Sequence, residues 1–291
     1  MLFEILPIRK HFVPNPPDFN RLAKRVSMDV SGTLLELSLP QHKSDTTKEL
    51  TAVRQSDIHN FSRYEGDSAQ GDIYLSLLAR SWKLNGPLFH QKAGELFLFC
   101  GVQYFDGGSQ EHSLFQYEVL ENVVLEHAKK RYGTDDGDFY HGQQRNSAPH
   151  DWKVVQINDE PAIQYNVLRD YGRYRYLSTV YPISHNHYLR FELKDNSQLL
   201  RDRGDEPVVD SGPIDDFFSQ IVQSITIKLS DVAQAQREVI SNRYPEQKYT
   251  SSREPEKWAT AAQDAEFAEH CQWQGQLKGL MEARENGTFE R

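Results

Sequence analysis

The chain predicts an α+β domain, a largely antiparallel sheet packed with helices, followed by a helical carboxyl-terminal extension. Three observations carry that expectation. Residues 162–168, 173–183 and 187–194 alternate apolar and polar side chains with the period of a strand. Residues 113–131 and 217–225 instead repeat their apolar positions at helical spacing. After Leu229 the strand signal stops, and a polar stretch containing Pro245 and Pro255 begins. A meander of strands with helices set against one face is an α+β arrangement. The predicted boundaries are therefore a domain over 1–229 and a helical appendage over 230–291.

In chain order, residues 12–19 carry Pro14, Pro16 and Pro17 and predict extended or turning chain. Within 26–39, Gly32 precedes Leu34-Leu35-Glu36-Leu37-Ser38-Leu39, a strand ending at Pro40, and 41–48 is a polar connection. Residues 72–84 read as a strand rather than a helix because Gly71 and Asn85-Gly86 bound them tightly. Residues 95–104 are apolar on both phases, as a central strand is, and hold Cys100 as a buried structural thiol. The clearest helix is 113–131. Its stripe is Tyr117, Leu120, Val124 and Ala128, widened by Val119 and Val123, and Lys129, Lys130 and Arg131 sit where cations suit the helix dipole. Residues 134–150, rich in Gly, Asp, Gln and Asn, predict a loop.

The stretch 152–229 is the centre of the domain. Asp170-Tyr171-Gly172 and Ser184-His185-Asn186 supply turn chemistry between its strands. With Ile183 opposite Asn186, Tyr176, Ser178 and Val180 share a face with Leu189, Phe191 and Leu193, and that face is expected to bury. Arg175, Leu177, Thr179, Tyr181, Tyr188, Arg190 and Glu192 then fall on the other face. A polar loop over 196–212 follows. Pro213 opens a helix with Asp215 and Asp216 in its first turn and Phe217, Phe218, Ile221, Val222 and Ile225 as its stripe. Ile225, Ile227 and Leu229 return to strand period. Asp231 caps a helix running to about Arg243, 247–254 is a polar linker, and Pro255 opens a last helix. That helix mixes Trp258 and Trp273 with Gly275 and Gly279, so contact with the domain or a partner is expected to hold it.

The closing segment Phe217-Phe218-Ser219-Gln220-Ile221-Val222-Gln223-Ser224-Ile225-Thr226-Ile227 resembles the pattern that ends the Mog1/PsbP-like fold, an α/β/α sandwich. There an amphipathic helix with an aromatic, a later aliphatic and a Ser runs into the last strand. The resemblance covers roughly 26–229. It implies a protein that binds other proteins or assists assemblies, without a shared active site.

The 291 residues carry a formal charge of −9, which disfavours general binding to nucleic acid or anionic lipid. Hydrophobic residues make up only 38%, and no stretch approaches the ~18 apolar residues of a membrane span, so a soluble, cytoplasmic protein is expected. Cys100 and Cys271 form no metal knuckle, no nucleotide-binding glycine pattern occurs, and no cofactor is expected. Two constellations stand out. His185 and His187 on one strand would point the same way and, with His141 or His150 as a third ligand, would make the metal site of a hydrolase; the alternative places His185 in the turn and His187 at the end of the buried face. Arg173, Arg175 and Arg190, interleaved with Tyr171, Tyr174, Tyr181 and Tyr188, could hold a small anion or a partner, or could be a solvated or helix-covered sheet face. Trp258 and Trp273 are further candidate anchors. Asp135, Asp136 and Asp138 resemble a fragment of a calcium loop that lacks its closing Glu. The reading favoured over an enzyme is a binding or accessory protein with a protein partner or self-association.

Overall fold

The computed structural model describes residues 13–44, 47–67, 72–84, 94–132, 146–169, 174–197 and 210–258, together with Ala262, Ala265, Glu269 and Trp273. In chain order the first elements are α1 (Phe19–Leu22), β1 (Lys24–Val30), β2 (Thr33–Leu39), β3 (Gln55–Ser56), β4 (Glu65–Asp67), β5 (Asp72–Leu84) and β6 (Gly94–Tyr104). Then come α2 (Tyr117–Tyr132), β7 (Ser147–Ile157), β8 (Glu160–Arg169), β9 (Tyr174–Pro182) and β10 (His187–Asp195). The described chain closes with α3 (Gly212–Gln223), β11 (Thr226–Lys228), α4 (Asp231–Arg243) and β12 (Glu256–Lys257). A four-stranded sheet has the order β11-β2-β1-β3, and an eight-stranded sheet the order β12-β7-β8-β9-β10-β6-β5-β4. All pairings between these strands are antiparallel except β1 with β3. The mixed α+β class is as the periodicities require.

The eight-stranded sheet is a middle layer. Against one face lie the small sheet and α3, whose Met28, Leu35, Leu37, Phe217, Phe218 and Ile221 share a core with Leu77, Leu98, Leu189 and Phe191. Against the other lies α2, whose Leu120, Val124 and Ala128 pack on Ile163, Tyr165, Val180 and Tyr188. Each such fully buried aliphatic or aromatic side chain stabilises the fold by about 1.5–3 kcal/mol over its exposed state. Pro213 sits in the first turn of α3, as its missing N–H allows. At the other end of that helix, the Ser224 hydroxyl donates to the Ile221 carbonyl at 2.7 Å and accepts from the Ser38 amide at 3.0 Å. A side chain thus ties the end of α3 to β2.

The register of β9 against β10 differs from the expected one. Leu189 lies opposite Tyr181, Phe191 opposite Thr179 and Glu192 opposite Ser178, a slip of one residue. Because side chains alternate, that slip exchanges partners between faces. Leu177, Thr179 and Tyr181 share the α3 face with Leu189, Phe191 and Leu193, while Tyr176, Ser178 and Val180 share the α2 face with Tyr188, Arg190 and Glu192. Both faces bury, since the strands run through the centre of three layers, and amphipathic alternation therefore holds no information about which side is the core.

Besides the short β3, β4 and β12, the last of them where a helix was expected after Pro255, two longer strands were not legible. β1 pairs with β2 through Ser31 and Gly32, both at positive φ (50° and 85°), the twist a tight hairpin needs. β7 pairs with β8 around Asn158 and Asp159, also at positive φ, but its register shifts at His150, which breaks the alternation that would reveal it. Among the described residues, no helix is long and apolar enough to cross a membrane.

After Leu229 the chain returns to the domain. Ser230, one residue before the expected cap, accepts from the Ala233 amide at 3.2 Å and starts α4. Ala233 and Ile240 bury against Phe115. The segment 247–254, expected as a linker, is a strap across α2. The Gln247 side chain accepts from the Tyr117 amide at 3.1 Å and donates to the Phe115 carbonyl at 3.2 Å. The buried Glu121 carboxylate accepts from the Thr250 amide at 2.5 Å and hydroxyl at 2.8 Å, and from Arg253. β12 then pairs with β7. Polar side chains hold this strap, so hydropathy alone reads it as linker.

Candidate binding site

The α4 helix and the strap leave a cleft of about 220 Å³ against the end of the large sheet. Its walls are Phe115 and Tyr117 at the start of α2, Glu160 and Pro161 at the start of β8, Tyr181 and Pro182 at the end of β9, the face of α4 around Arg237 and Ser241, and Tyr249 of the strap. Tyr117 and Tyr249 stack with ring centroids 3.9 Å apart at 14°. Arg237 spans the cleft wall, pairing with Glu160 at 2.8 Å and donating to the Gln234 side chain at 2.8 Å. Gln234 in turn donates to Glu238 at 2.9 Å.

Three phenols meet there. Burial pushes the Tyr181 hydroxyl up to about 12, with Arg237 opposing and Glu160 reinforcing. Burial raises Tyr117 too, helped by Glu160. Tyr249 is raised well above its ordinary value by burial first, then by Tyr117, Tyr181, Glu121 and Glu160. All three stay protonated at neutral pH and can donate. The Tyr249 hydroxyl is buried without a hydrogen-bond partner among the described residues. An unpaired buried polar group costs ~1–3 kcal/mol, and of the several such atoms among the described residues this is the one on a residue that lines the cleft.

The predicted arginine and tyrosine face is divided by the register. Arg173 lies outside the described residues. Arg175 sits on the α3 side, 3.4 Å from Asp195 and 2.7 Å from Asp215 in the first turn of α3. Arg190 lies on the opposite side, buried beneath α2, with its guanidinium 5.5 Å from the Phe99 ring and 4.0 Å from the Glu192 carboxylate. Arg190 also donates to the Gln103 amide oxygen at 3.0 and 3.2 Å in that amide's satisfied orientation. Glu192 accepts from Tyr132 at 2.8 Å. Burial opposes its ionisation, but Arg190, Arg131, Tyr132 and Ser178 together hold its carboxyl below the usual range. Tyr188 meets His127 at 2.7 Å, also under the helix. Arg175 and Arg190 thus do not form one patch. Of the four described residues expected on that face, Tyr181 alone lines the cleft. Trp258 is half-buried against the α2 core, and Trp273 is 56% exposed in helical conformation.

The histidines are separated as well. His185 lies in the bend before β10, not on the strand. Its Nδ1 meets the Ser113 hydroxyl at 2.7 Å, and its amide donates to Gln236 at 3.1 Å. His187 opens β10 and is fully buried. Its Nδ1 meets the Ser184 hydroxyl at 2.8 Å, and its ring is flanked by Tyr104 at 5.3 Å, His59 at 5.8 Å and Tyr64 at 6.5 Å. Burial, with His59 adding to it, lowers its pKa to about 4. His150 pairs with Ser147 at 2.6 Å, and His141, Asp135, Asp136, Asp138 and Cys271 lie outside the described residues. Among the described residues no three His, Cys, Asp or Glu side chains converge as a metal site would need.

Sequence reasoning missed Tyr249, Arg237 and Glu160. The available signal was slight: Tyr244 and Tyr249 are the aromatics of an otherwise polar stretch, which marks anchoring but not the surface anchored to. No protein-family model matches the chain, and neither does any curated protein.

Proposed function

We propose that this is a non-enzymatic binding protein acting through protein–protein contacts, with the cleft between α4 and the sheet as its recognition site. The observation that carries this reading is the cleft itself: stacked Tyr117 and Tyr249, Tyr181, and the Arg237–Glu160 pair converge on one concave surface. Tyr and Arg are the side chains most often responsible for binding energy at interfaces. The layered arrangement of a sheet between helices is compatible with the Mog1/PsbP-like resemblance, whose members bind other proteins. That likeness supports binding by analogy of fold alone.

The test fills the cleft without touching the core. Ser241 is exposed on α4 and lines the cleft, so Ser241→Trp should leave melting unchanged while occluding the site. Affinity capture from the source cells with both proteins should recover a stoichiometric partner on the wild type and lose it on the variant. A partner retained equally by Ser241→Trp places recognition elsewhere on the molecule.

A further inference from the structure

We propose that the cleft receives a cationic side chain, lysine or arginine, presented by the partner protein; the inference rests on the binding reading above and names its chemistry. Size comes first. A volume of about 220 Å³ is below the ~300–1,000 Å³ of sites that enclose drug-sized ligands or cofactors, and suits one long side chain.

Charge decides the kind of side chain. An anion's charge would have to be met by Arg237, the one cation among the residues lining the cleft, and Arg237 is already paired with the Glu160 carboxylate and donates to Gln234. The other oxygen of Glu160 and the second oxygen of Glu238 make no hydrogen bond among the described residues, and both residues line the cleft. The groups left open on these two residues are acceptors, which suit an incoming N–H donor. Tyr249 gives an independent indication. It is 8% exposed, lines the cleft, and its hydroxyl has no partner. The groups whose fields reach that hydroxyl are Tyr117, Tyr181 and Glu160 of the cleft wall, with Glu121 behind. A phenol oxygen can accept as well as donate. Phe115, Tyr117 and Tyr181 also line the cleft, and aromatic rings attract ammonium and guanidinium groups. Finally, the formal charge of −9 steers cations toward the whole surface.

The experiment uses the full chain and five probes followed by NMR titration: N-acetyl-arginine methylamide, its lysine, citrulline and glutamate counterparts, and free agmatine. The arginine or lysine probe should shift the amides of Arg237, Tyr249 and Ser241 in the millimolar range. The citrulline probe, matched in shape but uncharged, should bind about tenfold more weakly, and added salt should weaken the charged probes. Glu238→Gln, a change at an exposed position that keeps the fold, should weaken the cationic probes about five- to tenfold. Equal binding of citrulline and arginine probes, or an unchanged affinity in Glu238→Gln, overturns the inference. Agmatine binding without any shift from the capped amino acids would reveal a free small cation and overturn the partner side chain. If the glutamate probe occupies the cleft, the cleft remains the binding site and the cationic assignment falls. If no probe moves the cleft and Ser241→Trp keeps the partner, both fall together.

Discussion

Removing the Glu121 carboxylate should release the strap while leaving the sheet folded. Glu121 is 2% exposed on α2 and accepts from the Thr250 amide and hydroxyl and from the Arg253 guanidinium. Hydrogen bonds to a charged group contribute ~1.5–3 kcal/mol net, and breaking a buried ion pair costs ~3–5 kcal/mol. Thr250 is exposed and the Arg253 side chain is 28% exposed, so both donors regain water once the strap lifts. That places Glu121→Ala at about 2–3 kcal/mol, below the buried-pair figure. For a domain of this size each kcal/mol moves Tm by roughly 2–4 °C, giving a fall of about 4–12 °C by calorimetry. The more specific readout is hydrogen exchange: amide protection should drop at Tyr117, Thr250 and β12 and persist in β6 and β10. Glu121→Gln, which keeps an acceptor but loses the charge, should fall between wild type and Ala. An unchanged Tm with an unchanged Thr250 amide would show that the carboxylate does not hold the strap.

Three further outcomes follow from the packing. His187 has its pKa lowered to about 4 by burial against an ordinary 6.5, so between those values the unfolded chain binds more protons and stability falls as pH drops through about 6.5 to 4. The 2.5-unit gap is about 3 kcal/mol, and urea titrations should show His187→Phe flattening the profile across that window while both proteins share one slope above pH 7. Arg175→Ala leaves the Asp195 carboxylate, 2% exposed, without its cation. A loss of about 3 kcal/mol in urea midpoint stability is expected, with Asp195→Asn added to Arg175→Ala recovering part of it. Gly108 has Asn186 so close that an added Cβ would stand 2.1 Å from the Asn186 Cβ and 2.6 Å from its Cα. Gly108→Ala must displace the bend before β10 and should cost about 1–3 kcal/mol, with chemical-shift changes centred on Ser184, His185 and Asn186; a silent spectrum there would contradict the close approach.

The α2 stripe, the α3 start at Pro213 and the strands over 72–84 and 95–104 were legible because each rests on a local rule: helical spacing, a proline's missing donor, or a run bounded by turn residues. Alternation likewise set the period of β9 and β10. It could not decide their register, because Ser184-His185-Asn186 permits two pairings one residue apart and both faces of these strands are buried, so neither pairing exposes an apolar row. That single offset moved Arg175 to the α3 side and Arg190 beneath α2, dissolving the patch their spacing suggested. The cleft was beyond reach for a related reason. Tyr117, Glu160, Tyr181, Arg237 and Tyr249 come from five separate segments, and what gathers them is a strap held by Gln247, Thr250 and Arg253 on α2. Side-chain hydrogen bonds between distant segments leave no periodicity in either one, so the chemistry of each residue was written in the sequence and their convergence only in the tertiary structure.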